Sequence, residues 1–244
     1  MTRKPHLDER RRRVVLAASA APVASLLAAC AGTPGASDGP PAPAPVYRAG
    51  DRWVYRVTDG FRNPAVYDET REVVSVDARG ITIRVSRNGP NGDTMRVEQW
   101  TSPGDLAVGA IFNDETRRFT PPLPRWQFPL TPGARWSLWA PQINETTRHE
   151  GPINYDARVG GWRSFTTPAG AFDAVGVRVF MRLDDEEFWR TATEVNHLLW
   201  WSPAVGNTVR EERQAEYRDK GDPLSASNHR TQNATFELTS YRRA

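Results

Sequence analysis

Cysteine occurs once in this chain, at position 30. A thiolate is the best soft nucleophile among the side chains, so that sulfur is the first place to look for covalent chemistry. The other chemistry-bearing residues are dispersed. His149, His197 and His229 lie far apart, each in a polar or strand-like context, and a lone histidine is expected to be a hydrogen-bonded surface or core residue rather than the base that nucleophilic hydrolysis needs. A metal centre wants clustered ligands. The nearest approaches are Glu145 with His149-Glu150, and the acidic run Asp184-Asp185-Glu186-Glu187. Both sit beside turn residues and are expected to be solvated loops. A glycosidase pair depends on the spatial separation of two carboxylates, and no pair stands out along the chain. The expectation is therefore a protein that is not an enzyme, with no cofactor and no metal.

What surrounds Cys30 gives it a different role. Arg3, Lys4 and the run Arg10 to Arg13 form a basic start, and Val14 to Ala29 is apolar apart from Ser19, Pro22 and Ser25. That run is shorter than the ~20 residues that span a bilayer as a helix. A basic start, a short apolar segment and small residues before a break make a secretory signal peptide over residues 1–29. Leu27-Ala28-Ala29-Cys30 resembles the bacterial lipobox. The resemblance implies that the sulfur receives a diacylglycerol, that cleavage falls before it, and that the new amino group takes a further palmitate-type chain. One acyl chain holds a protein to a membrane only reversibly, whereas two or three hold it stably. Arg11-Arg12-Arg13-Val14-Val15 leaves both general and twin-arginine export open. Ala31, where an aspartate would favour the inner membrane, points to the outer membrane facing the periplasm in a Gram-negative cell.

Charge supports export over nucleic-acid binding. The chain carries 32 Lys+Arg against 29 Asp+Glu, but residues 1–29 take six of the former and two of the latter. The remainder is 26 against 27, net −1. Phosphate binding needs a basic footprint, and here it leaves with the leader. With no second thiol the mature chain can form no internal disulfide, so its stability must come from burial.

The elements follow from periodicity. Ala31 to Val46 is Ala/Gly/Pro/Ser-rich, so residues 30–46 are expected to be a lipidated cysteine and a disordered tether. A single β-rich domain is expected over 47–244. Trp53, Tyr55 and Val57 alternate with Arg52 and Arg56, as on a strand. Thr70 to Val76 and Ile81 to Val85 form a hairpin across Asp77-Ala78-Arg79-Gly80, and Met95 to Gln99 follows a second turn. Thr120 to Pro132 holds five prolines and is expected to cross the domain as an extended connection rather than a central strand. Tyr155 to Val159 and Trp162 to Thr166 suggest a hairpin across Gly160-Gly161. Val175 to Leu183 is the cleanest strand; Phe188 to Trp201 tilts to strand, and Thr208 to Tyr217 alternates again. Asp219 to Asn233 is expected to be a polar loop before a last strand through Phe236 and Leu238. Gly133-Ala134-Arg135-Trp136 echoes Gly50-Asp51-Arg52-Trp53, which leaves open two similar halves. The expected fold is all-β, with antiparallel strands in a sandwich or a curved, partly open barrel.

Four stretches carry a family resemblance: Pro129 to Trp136, Pro168-Ala169-Gly170-Ala171-Phe172-Asp173-Ala174, Trp200 to Gly206, and Glu237-Leu238-Thr239-Ser240-Tyr241. Together they are similar to the TapB-like bacterial envelope proteins, a domain family of unknown function. Trp201 stands where that family has a tyrosine. The resemblance implies an exported, mostly β domain and supplies no catalytic residue.

Nine tryptophans are the compositional anomaly. An indole fills a β core or lines a ligand groove. Trp162, Trp189, Trp200 and Trp201 are the candidate ligand-contacting residues. Alternation sends Trp200 and Trp201 to opposite faces, one into the core and the other outward or onto a cavity. The expected function is a lipid-anchored envelope protein that binds an apolar or glycan ligand or an envelope partner. The alternatives are a purely structural or assembly role, or a hydrolase.

Overall fold

The computed structural model describes residues 38–90, 92–184, 187–221 and 228–244. Cys30, the leader and residues 31–37 of the tether lie outside them. Twelve antiparallel strands are present among the described residues: β1 (Arg52–Asp59), β2 (Ala65–Asp77), β3 (Gly80–Asn88), β4 (Thr94–Trp100), β5 (Asp105–Ala110), β6 (Thr116–Pro124), β7 (Arg135–Asn144), β8 (Glu150–Thr167), β9 (Gly170–Leu183), β10 (Thr193–Ser202), β11 (Asn207–Arg218) and β12 (Asn228–Arg242). Each pairs with its sequence neighbours, and β1 also pairs with β12, which closes the sheet into a barrel. The all-β antiparallel expectation holds. Of the sandwich and the partly open barrel, the chain takes the barrel and shuts it, which removes both sheet edges.

Alternation sets the inside. Trp53, Tyr55 and Val57 of β1 are fully buried, as are Val175, Val177, Val179, Met181 and Leu183 of β9. Side chains, not solvent, fill most of the lumen, and the strands meet it through one face each.

Three local expectations are corrected. Gly160-Gly161 is no turn: β8 runs unbroken for 18 residues, and the register shift between Val159 and Trp162 marks a bulge. Both flanks pair with the same strand, β9, so the glycines bend the strand without reversing it. Thr120 to Pro124 belongs to β6, with pairing to β5 interrupted between Arg118 and Leu123. A bulge tolerates prolines that a regular ladder would reject. The polar loop after Asp219 is shorter than expected, because β12 already begins at Asn228.

The tether side also differs. Ala42 pairs with Leu130 through two backbone hydrogen bonds, and Trp162 donates its indole N–H to the Pro40 carbonyl at 3.0 Å. The chain is thus fixed to the barrel from about residue 40 onward. It arrives at the end that carries the β2–β3, β4–β5, β6–β7, β8–β9 and β10–β11 turns. Strand direction places the Pro129–Trp136, Pro168–Ala174 and Trp200–Gly206 stretches at this same rim, with the end of β12.

The echo between Gly50 and Gly133 has a geometric counterpart. Gly50 N–H bonds the Val73 carbonyl while Val73 N–H bonds Asp51; Gly133 and Val159 repeat this with Ala134. Both glycines have positive φ, 94° and 87°, and they precede β1 and β7, six strands apart in a ring of twelve. Trp100-Thr101-Ser102-Pro103 after β4 and Trp200-Trp201-Ser202-Pro203 at the end of β10 keep the same offset.

Candidate functional site

The sequence-predicted tryptophans do not converge. Trp162 clamps the incoming chain at Pro40. Trp189, 44% exposed in the β9–β10 connection, meets the Tyr217 ring edge-on at 5.7 Å at the opposite end of the barrel. Trp201 is in the core against Trp126 (5.2 Å) and Phe128 (5.1 Å). Trp200 contacts a different set, Phe165 at 4.8 Å and Gly176, as opposite faces require. It is buried nonetheless, because Phe165 and Arg163 of β8 fold over it. Trp200 is 8% exposed and Trp201 1%.

The feature that stands out is charged and lies inside the barrel. Glu69 and Arg71 of β2, Arg87 of β3, Arg96 and Glu98 of β4, and Glu211 and Arg213 of β11 all turn inward. Arg71 bridges two buried carboxylates: its Nε donates to Glu69 at 2.8 Å and its Nη1 to Glu211 at 2.6 Å. Arg213 donates its Nε to Glu211 at 2.7 Å, and Thr208 Oγ1 donates to the same carboxylate at 2.5 Å. Arg87 donates to Glu69 at 3.0 Å, while Arg96 reaches Glu98 at 3.3 Å. Asp114, in the β5–β6 connection, accepts from both Arg87 and Arg96. Arg71 stacks over Tyr55 and Arg213 over Phe236, each 4.3 Å from the ring centroid. Apolar walls and aromatic faces thus hold a multi-residue ion network where water is scarce.

Burial and pairing compete in setting protonation. Burial pushes the Glu69 carboxyl up, but Arg71, Arg96 and Arg87 outweigh it and hold it at about 2. Burial likewise raises Glu211, and Arg213 and Arg71 overcome that to hold it well below the usual carboxylate range. Both stay ionised at neutral pH, so neither is poised to exchange a proton there. His197 is buried beside Arg213 and Arg125; burial first, then those cations, push it well below its usual value. It is a neutral imidazole at physiological pH.

The β6–β7 connection brings one more cation. The Tyr155 hydroxyl donates to the Arg125 carbonyl at 3.1 Å, and Arg125 N–H donates to the Leu123 carbonyl at 2.8 Å. Trp126 N–H is held by the Gly104 carbonyl at 3.0 Å. So fixed, the loop packs Trp126 on Trp201 and directs the Arg125 guanidinium toward Trp100, 5.8 Å from that ring. The proline-rich crossing expected from sequence therefore carries a functional group into the lumen. Arg71, Arg96, Glu98, Arg125, Glu211 and Arg213 line a cavity of about 30 Å³ there, together with aromatic neighbours.

Sequence reasoning missed this network, although a signal existed. Val209, Glu211, Arg213 and Ala215 are in phase on one strand face, as are Glu69, Arg71 and Val73. Charges in phase with apolar residues point inward. Among the described residues no group of three or more His, Cys, Asp or Glu could hold a metal ion. His149 bonds the Asp184 carbonyl and His229 the Asp219 carboxylate, well apart from each other. Gly35-Ala36-Ser37-Asp38-Gly39 does spell Gly-x-Ser-x-Gly. It stands in the tether rather than between a strand and a helix, and Ser37 lies outside the described residues.

No family model matches the chain, and no curated protein matches it. Solved structures do. A candidate lipoprotein from Parabacteroides distasonis ATCC 8503 has 16% identity and a TM-score of 0.46, covering 84% of this chain and 100% of its own. A candidate exported protein with a YmcC-like fold from Bacteroides fragilis NCTC 9343 has 12% identity and a TM-score of 0.46, with the same two coverages. The hypothetical lipoprotein YmcC from Escherichia coli K12 has 10% identity and a TM-score of 0.39, covering 82% of this chain and 90% of its own. At these identities and scores no function transfers.

Proposed function

We propose that this protein is a lipid-anchored, non-enzymatic component of the bacterial cell envelope. Cys30 is its membrane attachment, and the closed barrel is a binding module for an envelope partner or glycan. The observation that carries the reading is Cys30 itself, the chain's one sulfhydryl, placed directly after Leu27-Ala28-Ala29 at the end of a leader-like run. The likeness of the rim motifs to TapB-like envelope proteins supports the same address. In a Gram-negative cell that address is the outer membrane, with the barrel in the periplasm.

The test is fractionation of cells expressing the full chain and its Cys30→Ser variant. The native protein is expected in the membrane pellet, and mass spectrometry is expected to show residue 30 as an acylated N-terminus. The variant is expected in the soluble envelope fraction. Equal membrane partitioning of the two would sink the proposal. A second reading is an assembly role without a small ligand; recovery of one stoichiometric partner by cross-linking would select it.

A further inference from the structure

The guanidinium of Arg125 is the unbalanced charge of the lumen. The residue is 8% exposed, yet no carboxylate among the described residues lies within ion-pairing distance of it, and its guanidinium lies 5.8 Å from the Trp100 ring centroid. Every carboxylate nearby is already committed: Glu211 to Arg71 and Arg213, Glu98 to Arg96, Glu69 to Arg71 and Arg87. The cavity wall bears four arginines against two glutamates. A buried charge without a partner is costly, and an arginine keeps its charge because it cannot be deprotonated in a protein. Its nitrogens are not sealed into packed protein, because the guanidinium borders a cavity of about 30 Å³. That space is enough for about two water molecules, or for the oxygens of one carboxylate or phosphate group. Its backbone is held on both sides, by Tyr155 and Leu123, and its guanidinium lies 5.8 Å from the Trp100 ring centroid.

We propose that Arg125 and this cavity form an oxyanion-binding site, which accepts a single carboxylate or phosphate group. Arg125 supplies the donors in fork geometry and the attractive charge, because Arg71, Arg87, Arg96 and Arg213 are balanced by Glu69, Glu98, Asp114 and Glu211. Trp100 and Trp126 provide the flat walls. Tyr47 and Asn207 also line the cavity, which places it toward the rim where the chain joins the barrel. The site goes beyond the anchoring reading and stands whether or not Cys30 is acylated.

The test is calorimetric titration of the full chain, purified in a non-ionic detergent, with three probes. Inorganic phosphate represents a free ion, glycerol 3-phosphate a lipid headgroup, and glucuronate an acidic glycan. At least one is expected to bind with one-to-one stoichiometry, and the tightest identifies the source of the oxyanion. Arg125→Met is expected to abolish binding. Arg125→Lys is expected to weaken it by about tenfold or more, because an ammonium cannot form the fork. Near-ultraviolet circular dichroism reports whether each variant keeps its aromatic packing. Absence of binding by all three probes to the native chain would overturn the proposal. So would a folded Arg125→Met protein that binds like the native one.

Discussion

Arg71 of β2 and Glu211 of β11 meet at 2.6 Å across the barrel, both almost wholly buried and separated in the sheet by β1 and β12. The pair is a strut through the lumen that no strand ladder provides. Removing one end leaves the other charge buried, which costs far more than losing a surface pair.

Glu211→Gln is therefore expected to destabilise the barrel by about 3–5 kcal/mol, because Arg71 and Arg213 both lose their ionised acceptor. Glu212→Gln, one residue on, breaks a solvent-facing pair with Arg210 at 3.1 Å. Its cost is expected to stay below about 1 kcal/mol. Urea unfolding at neutral pH distinguishes the two; equal costs would mean that the lumen is wetter than its packing implies.

Acid should act in two stages. His197 is neutral in the folded state and takes a proton below its usual 6.5 when unfolded. Its contribution is complete above that pH and is lost as pH falls below it. Glu69 has its folded value depressed to about 2 from 4.5. Its contribution is complete above 4.5 and disappears between 4.5 and about 2, with a size of order 3 kcal/mol. His197→Leu is expected to remove the first stage and leave the second. Unfolding free energy measured at intervals from pH 7 to about 2 reads both.

The attachment of the tether to the barrel should be separable from the stability of the barrel. A Cβ on Gly39 would lie 2.1 Å from Trp162 Cδ1. Gly39→Ala is expected to push the chain off Trp162 and expose residues 38–46 to protease. The barrel's unfolding midpoint should move by no more than about 0.5 kcal/mol in equivalent free energy, since the substitution leaves the strands untouched. Limited proteolysis followed by mass spectrometry checks it.

The tryptophans should divide by position. Trp201→Ala empties a fully buried site between Trp126 and Phe128 and is expected to cost about 3–5 kcal/mol. Trp189→Ala removes a half-exposed ring packed on Tyr217 and is expected to cost about 1 kcal/mol or less. Thermal unfolding of each variant gives the comparison.

Gly160-Gly161 and Thr120–Pro124 show where local signals mislead. Two glycines fit a turn and a bulge equally well, and only the shared partner β9 decides between them. Prolines argue against a regular ladder, but a bulged ladder was available. Trp200 and Trp201 take opposite faces, and Trp200 is buried all the same because Phe165 reaches it from another strand.

What the residues along the chain determined unaided was the leader-like start, the placing of Cys30, the all-β antiparallel class and most strands. These depend on composition and on a period of two, which are properties of neighbours in sequence. Closure of β1 on β12, the strut from Arg71 to Glu211 and the unpaired Arg125 came only from tertiary structure. Periodicity tells which residues share a face; it does not tell which distant charges that face will meet. Such pairings link positions 140 residues apart, and they exist only once the sheet has curled far enough for its inner face to meet itself.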